Sequence, residues 1–267
     1  MQKVILITGI SSGFGKQISH LLALHGHKVY GTIRSDAETD PSVNVLRMDL
    51  LNPESIKSAI EKVMDQEGRI DVLINNAGMH SGGAIETIPI NTVKKQMDTN
   101  VLGMVYALKE VLPVMRKQGG GTIINFSSIG GLMGLPFQAF YSASKFAIEG
   151  ISDALRMEVK AFNIKIVVIN PGDFNTNNTL NRRNYLTTAE KDPYDEQFKK
   201  SLEIIEKDEM GGWPPEKLAR KLVLIVESKN PCDRYIIASF EQKLAVWLHK
   251  ILPGKWFSRI LASHYGM

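Results

Sequence analysis

The stretch "KVILITGISSGFGKQISHLLALHG", residues 3–26, restricts the fold more than any other part of the chain. Residues 3–8 are a continuous apolar run, the pattern of a parallel strand buried on both faces. Residues 15–26 place apolar side chains at helical spacing, and Gly26 stands where a C-cap glycine belongs. A strand buried on both faces needs parallel neighbours, and "KVYGTI" (28–33) supplies one at once. Further strands are predicted over 44–50, 70–78, 120–128 and 164–172, with a last over 233–239. Helices are predicted over 53–68 and 214–228, each with proline in its first turn, over 91–118 as one long helix, and over 140–159. This alternation predicts an α/β chain with a doubly wound parallel sheet and helices on both faces. Ligands of such sheets sit beyond the carboxyl ends of the strands. Those ends are the glycine-rich and polar positions here: Thr8-Gly9, Ile33-Arg34, Asp49, Asn75 to Gly78, Ser127-Ser128 and Pro171-Gly172.

Composition removes several function classes. The 267 residues suit one domain, and no linker or repeat divides them. A formal net charge of +4 gives no reason to invoke nucleic acid. One cysteine, Cys232, excludes an internal disulfide framework and suits a reducing compartment. The N-terminal apolar run is too short for a secretory signal, and no run is long enough to cross a membrane. A soluble cytoplasmic protein is the expectation. Residues 173–201 read as polar, with few core positions, which fits either an active-site lid or a plain loop. The tail, 243–267, mixes Trp247, Trp256 and Phe257 with Lys243, Lys250, Lys255 and Arg259. It fits three roles: a lid, a packing element, or peripheral membrane contact.

"TGISSGFG" sets Gly9, Gly13 and Gly15 between a strand and a helix. One glycine permits the tight turn, one lets backbone approach a pyrophosphate, and one lets the helix pack on the strand. The helix N-terminus then offers free N–H groups to phosphate. The context, after a buried strand and opening a helix, points to a dinucleotide site.

Together with "NNAG" (75–78), Asn100, "SS" (127–128), "YSASK" (141–145) and "PG" (171–172), this loop resembles the short-chain dehydrogenase/reductase family over residues 3 to 176. Within it, "GISSGFG", "VYGTIR" and the basic, aromatic tail look most like the hydroxysteroid and retinol dehydrogenase-like branch. The resemblance implies a single Rossmann-type domain with strand order 3-2-1-4-5-6-7 and a homodimer or homotetramer. It implies a nicotinamide cofactor lined by Ser11, Ser12 and Phe14 in the glycine loop, by Leu50, by Asn76, Ala77 and Gly78, and by Tyr141 and Lys145. It places Asp49 at the adenine amine, and Pro171, Gly172 and Thr176 against the carboxamide and phosphate.

The end of the second strand chooses between nicotinamides. An acid there binds the ribose hydroxyls, whereas an arginine accommodates a 2′-phosphate. By the family's spacing the acidic position falls at Ile33, and Arg34 follows it. The reading is therefore NADP(H) rather than NAD(H), with Ser11 able to add a hydroxyl and Asp36 taken as a loop residue past the strand. No metal is called for.

Tyr141 and Lys145 lie one helical turn apart on one face. An unassisted phenol, with a pKa of roughly 10, is a poor base near neutrality, and a neighbouring ammonium favours its phenolate. The pair suits proton transfer in carbonyl reduction or alcohol oxidation. Ser128, thirteen residues before Tyr141, matches the family serine that bonds the substrate oxygen, while alternation turns Ser127 away. Asn100 matches the family asparagine that holds a water near the lysine. The expected activity is an oxidoreductase interconverting a lipophilic ketone and a secondary alcohol, steroid-, retinoid- or long-chain-lipid-like. Substrate-facing positions are expected from 79–86, 129–138, 173–212 and the tail. Leu132, Met133, Leu135, Phe137 and Phe140 serve either as pocket or as core. Two other readings compete: a cofactor-binding regulator without turnover, and an epimerase or dehydratase using the same tyrosine and lysine. The intact four residues speak against the first, and the lack of a sizeable second domain against the second.

Overall fold

A computed structural model describes residues 1–176 and 193–267. Seven parallel strands form one sheet in the order β3-β2-β1-β4-β5-β6-β7. They are β1 (Val4–Ile7), β2 (Lys28–Ile33), β3 (Asn44–Arg47), β4 (Val72–Asn75), β5 (Gly121–Phe126), β6 (Ile164–Pro171) and β7 (Arg234–Ile237). Alternation along each strand divides the apolar side chains between the two faces. Val4 and Leu6 pack with helices α2 (Pro53–Glu67), α4 (Gly103–Lys117) and α5 (Ala139–Glu158). Ile5 and Ile7 pack on the other face with α1 (Gly13–Leu24) and α7 (Pro215–Glu227). The order reverses direction between β1 and β4, which opens a crevice at their carboxyl ends.

Helix boundaries follow local chemistry. Asn52 caps α2, accepting from the N–H groups of Glu54 (3.1 Å) and Ser55 (3.3 Å), and Gly68 ends the helix at φ 67°. Gly26 takes φ 79° just past α1.

The long helix expected over 91–118 is divided. It runs as α3 (Ile90–Met97), a π turn (Asp98–Leu102) and α4. The widened turn carries Asn100 into contacts with β4's loop and α5, which a continuous α-helix with that residue on its surface would not make. The third strand ends at Arg47, short of the expected residue 50, because Asp49 turns to accept the N–H of Leu51 (3.0 Å). Likewise the fourth strand is 72–75, shorter than the expected 70–78.

Residues 173–201, expected to be loop, give way to helix α6 (Asp195–Met210), whose Phe198, Ser201, Ile205 and Glu209 share a buried face. The rest of that lid-or-loop reading falls largely on 177–192, outside the described residues. The tail is two helices, α8 (Phe240–Ile251) and α9 (Gly254–His264), broken at Leu252-Pro253. A reciprocal cap between Ser239 and Gln242 starts α8. Both helices pack on a third apolar cluster around Ile129, Met133, Ala238, Val246 and Phe257, at the carboxyl end of the sheet.

Candidate active site

A cleft of about 980 Å³ opens over the carboxyl ends of the strands. Its floor is the glycine loop, and that loop is pinned to β4. The hydroxyl oxygen of Thr8 accepts the N–H groups of Asn76 (3.0 Å) and Ala77 (2.9 Å). The Asn76 amide donates in turn to the carbonyls of Thr8 (2.9 Å) and Gly9 (2.8 Å). Gly9 has φ 73°, and a Cβ there would lie 2.8 Å from the Cβ of Ala77. A Cβ on Gly15 would lie 1.9 Å from the carbonyl oxygen of Gly9, so only glycine lets α1 seat on the loop. At Gly13, φ 54°, a Cβ would come no nearer than 3.8 Å, to the Cβ of Thr176, so backbone lies open to the cleft. No side chain caps α1 at Ser12, which leaves its first N–H groups for a ligand. Ser11, Ser12, Gly13 and Phe14 line the cleft. The Phe14 ring, however, packs on Phe174 (centroids 5.0 Å, edge-on) and on Phe126, so this residue offers the cleft its backbone. A cradle that any Cβ at Gly9 or Gly15 would fill, beneath a helix N-terminus that Ser12 does not cap, fits a dinucleotide pyrophosphate.

The adenosine end lies past β2 and β3. Arg34 is exposed at the rim, and its guanidinium has no ion pair among the described residues. Asp36 is paired with Arg47 of β3, outside the cleft lining. Ile33 is buried in the core beneath α1. The rim therefore carries a cation and no acid at the strand end. Asp49 and Leu50 line the cleft from beyond β3. Pro171, Gly172 and Thr176 border it on the far side. Gly172 has a packing reason to be glycine, because a Cβ there would lie 2.0 Å from the Gln242 side-chain oxygen. Gln242 also donates to the Asp173 carboxylate (2.5 Å), latching α8 to the end of β6.

Ser128, Tyr141 and Lys145 converge between these ends. A Cβ built on Gly130 would lie 3.4 Å from the Tyr141 ring and 3.5 Å from the Ser128 hydroxyl, so both face the same space. The N–H of Gly130 donates to Ser128 Oγ (3.0 Å), which leaves the hydroxyl proton to point elsewhere. Ser127 points the other way, onto the carbonyl of Lys145 (3.3 Å). The Lys145 ammonium lies 5.7 Å from the Tyr141 ring centroid and donates to the carbonyl of Phe126 (2.9 Å). Burial pulls its pKa down to about 8, and the Glu149 carboxylate one turn on opposes that shift. Asn100 is buried with its amide engaged on both sides. Its oxygen accepts the N–H of Met79 (2.8 Å), and its nitrogen donates to Met79's carbonyl (2.9 Å) and to Ser144 (3.0 Å). Gly78 brings that loop against Asn100 and Lys145, at 3.1 and 3.8 Å from a Cβ built there.

Sequence reasoning missed two features of the site. His80 stacks on the Tyr141 ring (centroids 3.8 Å, planes 18° apart), and nothing in "NNAGMH" signals that contact. The second is a buried chain behind Ser128. Asn170 donates to the Ser128 carbonyl (2.9 Å) and to Glu149 (2.6 Å), and Glu149 is ion-paired with Arg234 of β7. Arg234→Met removes the cation that is ion-paired with the buried Glu149 carboxylate and leaves it only the Lys145 ammonium one turn away. It is expected to destabilise the fold by about 3–5 kcal/mol in chemical denaturation, with most of the loss recovered on adding Glu149→Gln. A loss under about 1 kcal/mol would mean the pair is no more than an ordinary surface bridge.

Apolar side chains make up part of the cleft lining. Of the five residues named from sequence, Met133 and Leu135 line the cleft. Leu132 packs in the third apolar cluster, Phe137 turns to Phe198 (5.3 Å) and a smaller side cavity, and Phe140 borders neither. The tail adds Leu244, Leu248, Phe257 and Leu261. Among the described residues no three His, Cys, Asp or Glu side chains are grouped to hold a metal.

Comparison with known proteins agrees with this layout. The chain is 46% identical over 265 residues to a 3-ketodihydrosphingosine reductase of Bacteroides thetaiotaomicron, covering 99% of this chain and 98% of that one. A short-chain dehydrogenase from Streptomyces avermitilis superposes with a TM-score of 0.79 at 27% identity, over 99% of this chain and 96% of the other. A short chain dehydrogenase from Burkholderia cenocepacia, solved in complex with NADP, shares the fold with a TM-score of 0.76 at 22% identity, over 98% and 99% of the two chains. The family profile described as short chain dehydrogenase matches residues 3–186, and the chain belongs to this short-chain dehydrogenase/reductase family of oxidoreductases.

Proposed function

We propose that the protein is an NADP(H)-dependent reductase of a long-chain lipid ketone, of the 3-ketodihydrosphingosine kind. The observation that carries this reading is the meeting of Ser128 and Tyr141 across Gly130, in a cleft also lined by Met133, Leu135, Leu244, Leu248 and Leu261. The relative at 46% identity bears the name of such a reductase. Its substrate class favours an acyl chain over the fused rings of a steroid. Asp208, bonded to His264 (3.0 Å), and Glu209 of α6 also line the cleft, and their negative charge suits a protonated amine on the substrate.

Reduced nicotinamide, when bound, supplies a hydride to the carbonyl carbon. Ser128 donates its free hydroxyl proton in a hydrogen bond to the carbonyl oxygen and fixes its direction. Tyr141 gives its phenolic proton to that oxygen as negative charge develops there, and the Lys145 ammonium stabilises the phenolate left behind. His80, stacked on the ring, restrains Tyr141 in the orientation this transfer needs. NADPH is preferred because the rim past β2 offers Arg34, which pairs with a 2′-phosphate through charge-assisted bonds.

The test follows NADPH and NADH oxidation by absorbance with 3-keto long-chain amines and with steroid ketones. The lipid amine with NADPH is expected to turn over fastest, and a preference for steroids would redirect the substrate reading. In the same assay Arg34→Ala is expected to raise the KM for NADPH by about 10–100-fold, a hydrogen-bonded charge being worth about 1.5–3 kcal/mol. The KM for NADH should stay put. Equal changes in both would remove Arg34 from phosphate recognition.

A further inference from the structure

The tail helices have two apolar faces, and only one is used by the fold. Val246 and Phe257 point inward to the third cluster. On the outside, Phe240, Leu244, Trp247 and Ile251 make one stripe along α8, at spacings of four, three and four. Trp256 and Ile260 stand exposed on α9. Phe240 is 76% exposed, Trp247 55% and Trp256 63%, which is unusual for such side chains on a surface that meets only water.

Charge identifies what this face meets. Residues 240–267 hold four Lys or Arg against one Glu, so +3 of the chain's formal +4 lies in this tail. Lys243, Lys250, Lys255 and Arg259 are all exposed, and none is in an ion pair among the described residues. Apolar stripes with tryptophans, flanked by exposed cations, match the boundary of an anionic lipid leaflet. A second copy fits poorly. A two-fold contact would set this patch against itself, like charge against like. No described helix is long and apolar enough to cross a membrane, so the match is to a helix pair lying on the surface.

We infer that the α8–α9 pair is a docking surface for anionic membranes. The cleft gives the docking a consequence. Phe240, Leu244 and Ile260 are exposed and also line the cleft, so apolar surface is continuous from the outer face to the space before Tyr141. A lipid substrate thereby passes from the leaflet into the cleft without crossing water. That second step rests on the function proposed above, whereas the docking does not.

The experiment is flotation of the full chain with vesicles of phosphatidylcholine alone, and of phosphatidylcholine and phosphatidylglycerol in equal parts, over a range of salt. The protein is expected to float with the anionic vesicles only, to release as salt rises, and to show tryptophan emission quenched by brominated acyl chains. The triple change Lys250→Glu, Lys255→Glu, Arg259→Glu is expected to weaken binding by about tenfold or more. Trp247→Ser with Trp256→Ser should abolish the quenching and weaken binding similarly. None of these residues lines the cleft, so turnover of a short water-soluble ketone is expected to be unchanged. Failure to float with either vesicle, or binding indifferent to salt and to the triple change, would overturn the docking. So would sedimentation showing that the tryptophan changes convert a dimer to monomers, which would assign the face to a second copy. Docking without turnover of any ketone would instead sink the functional proposal and leave the membrane surface standing.

Discussion

Tyr141→Phe is expected to lower kcat by about 10²–10⁴-fold, the contribution of a positioned acid–base group, while NADPH still binds. The substitution removes one hydroxyl and little else. The phenyl ring keeps its place in α5 and its stack on His80. The rate loss then belongs to proton transfer alone, since the residues of the glycine loop and the Arg34 rim are untouched. Steady-state kinetics and a fluorescence titration with NADPH separate the two effects. Unimpaired turnover would take Tyr141 out of the chemistry. A parallel collapse of NADPH affinity would make it a cofactor-holding residue.

How far the sequence led depended on the range of the interactions involved. Strand β1, the glycine loop and α1 were legible because buried strands and amphipathic helices carry their period locally, and because Gly9 and Gly15 answer to contacts that recur in any strand–loop–helix cradle. Ser128 was marked by the family's spacing to Tyr141, and alternation turned its neighbour Ser127 away. Asn100 was legible through the family resemblance, but its π turn brings it to Met79 and Ser144, twenty-one and forty-four residues away. The stack of His80 on Tyr141 and the Asn170–Glu149–Arg234 chain behind Ser128 lie beyond sequence for the same reason. Each joins elements that only the closed sheet brings together. Helix α6 was missed because charged residues dominate "DEQFKKSLEIIEKDEM" and hide its buried spacing. The tail's amphipathic character was plain, but its break at Pro253 and its seat against the cleft required the Gln242 latch to be seen.

Lys145→Met separates what the lysine costs the fold from what it gives the chemistry. A nearby cation moves an acid's pKa by about 1–3 units, so kcat is expected to fall by about 10–10³-fold. The pH profile of alcohol oxidation should move upward by about the same 1–3 units as the phenolate loses its ammonium. A residue that merely packed would not move that profile. Stability should go the other way. Methionine keeps the apolar stem and removes a charge that burial disfavours. Below pH 8 the lysine is protonated in folded and unfolded chains alike, and the whole cost of burying it is present. Between about 8 and the ordinary value of 10.5 the folded chain gives up its proton first. The unfolded chain then holds more protons, and wild-type stability rises with pH relative to the variant. Lys145→Met is therefore expected to melt higher than wild type below pH 8, with the gap closing toward pH 10.5. A variant that melts lower by the same margin at every pH would mean that the bond from Lys145 to the Phe126 carbonyl outweighs the buried charge, and that the lysine is held in place by the fold rather than against it.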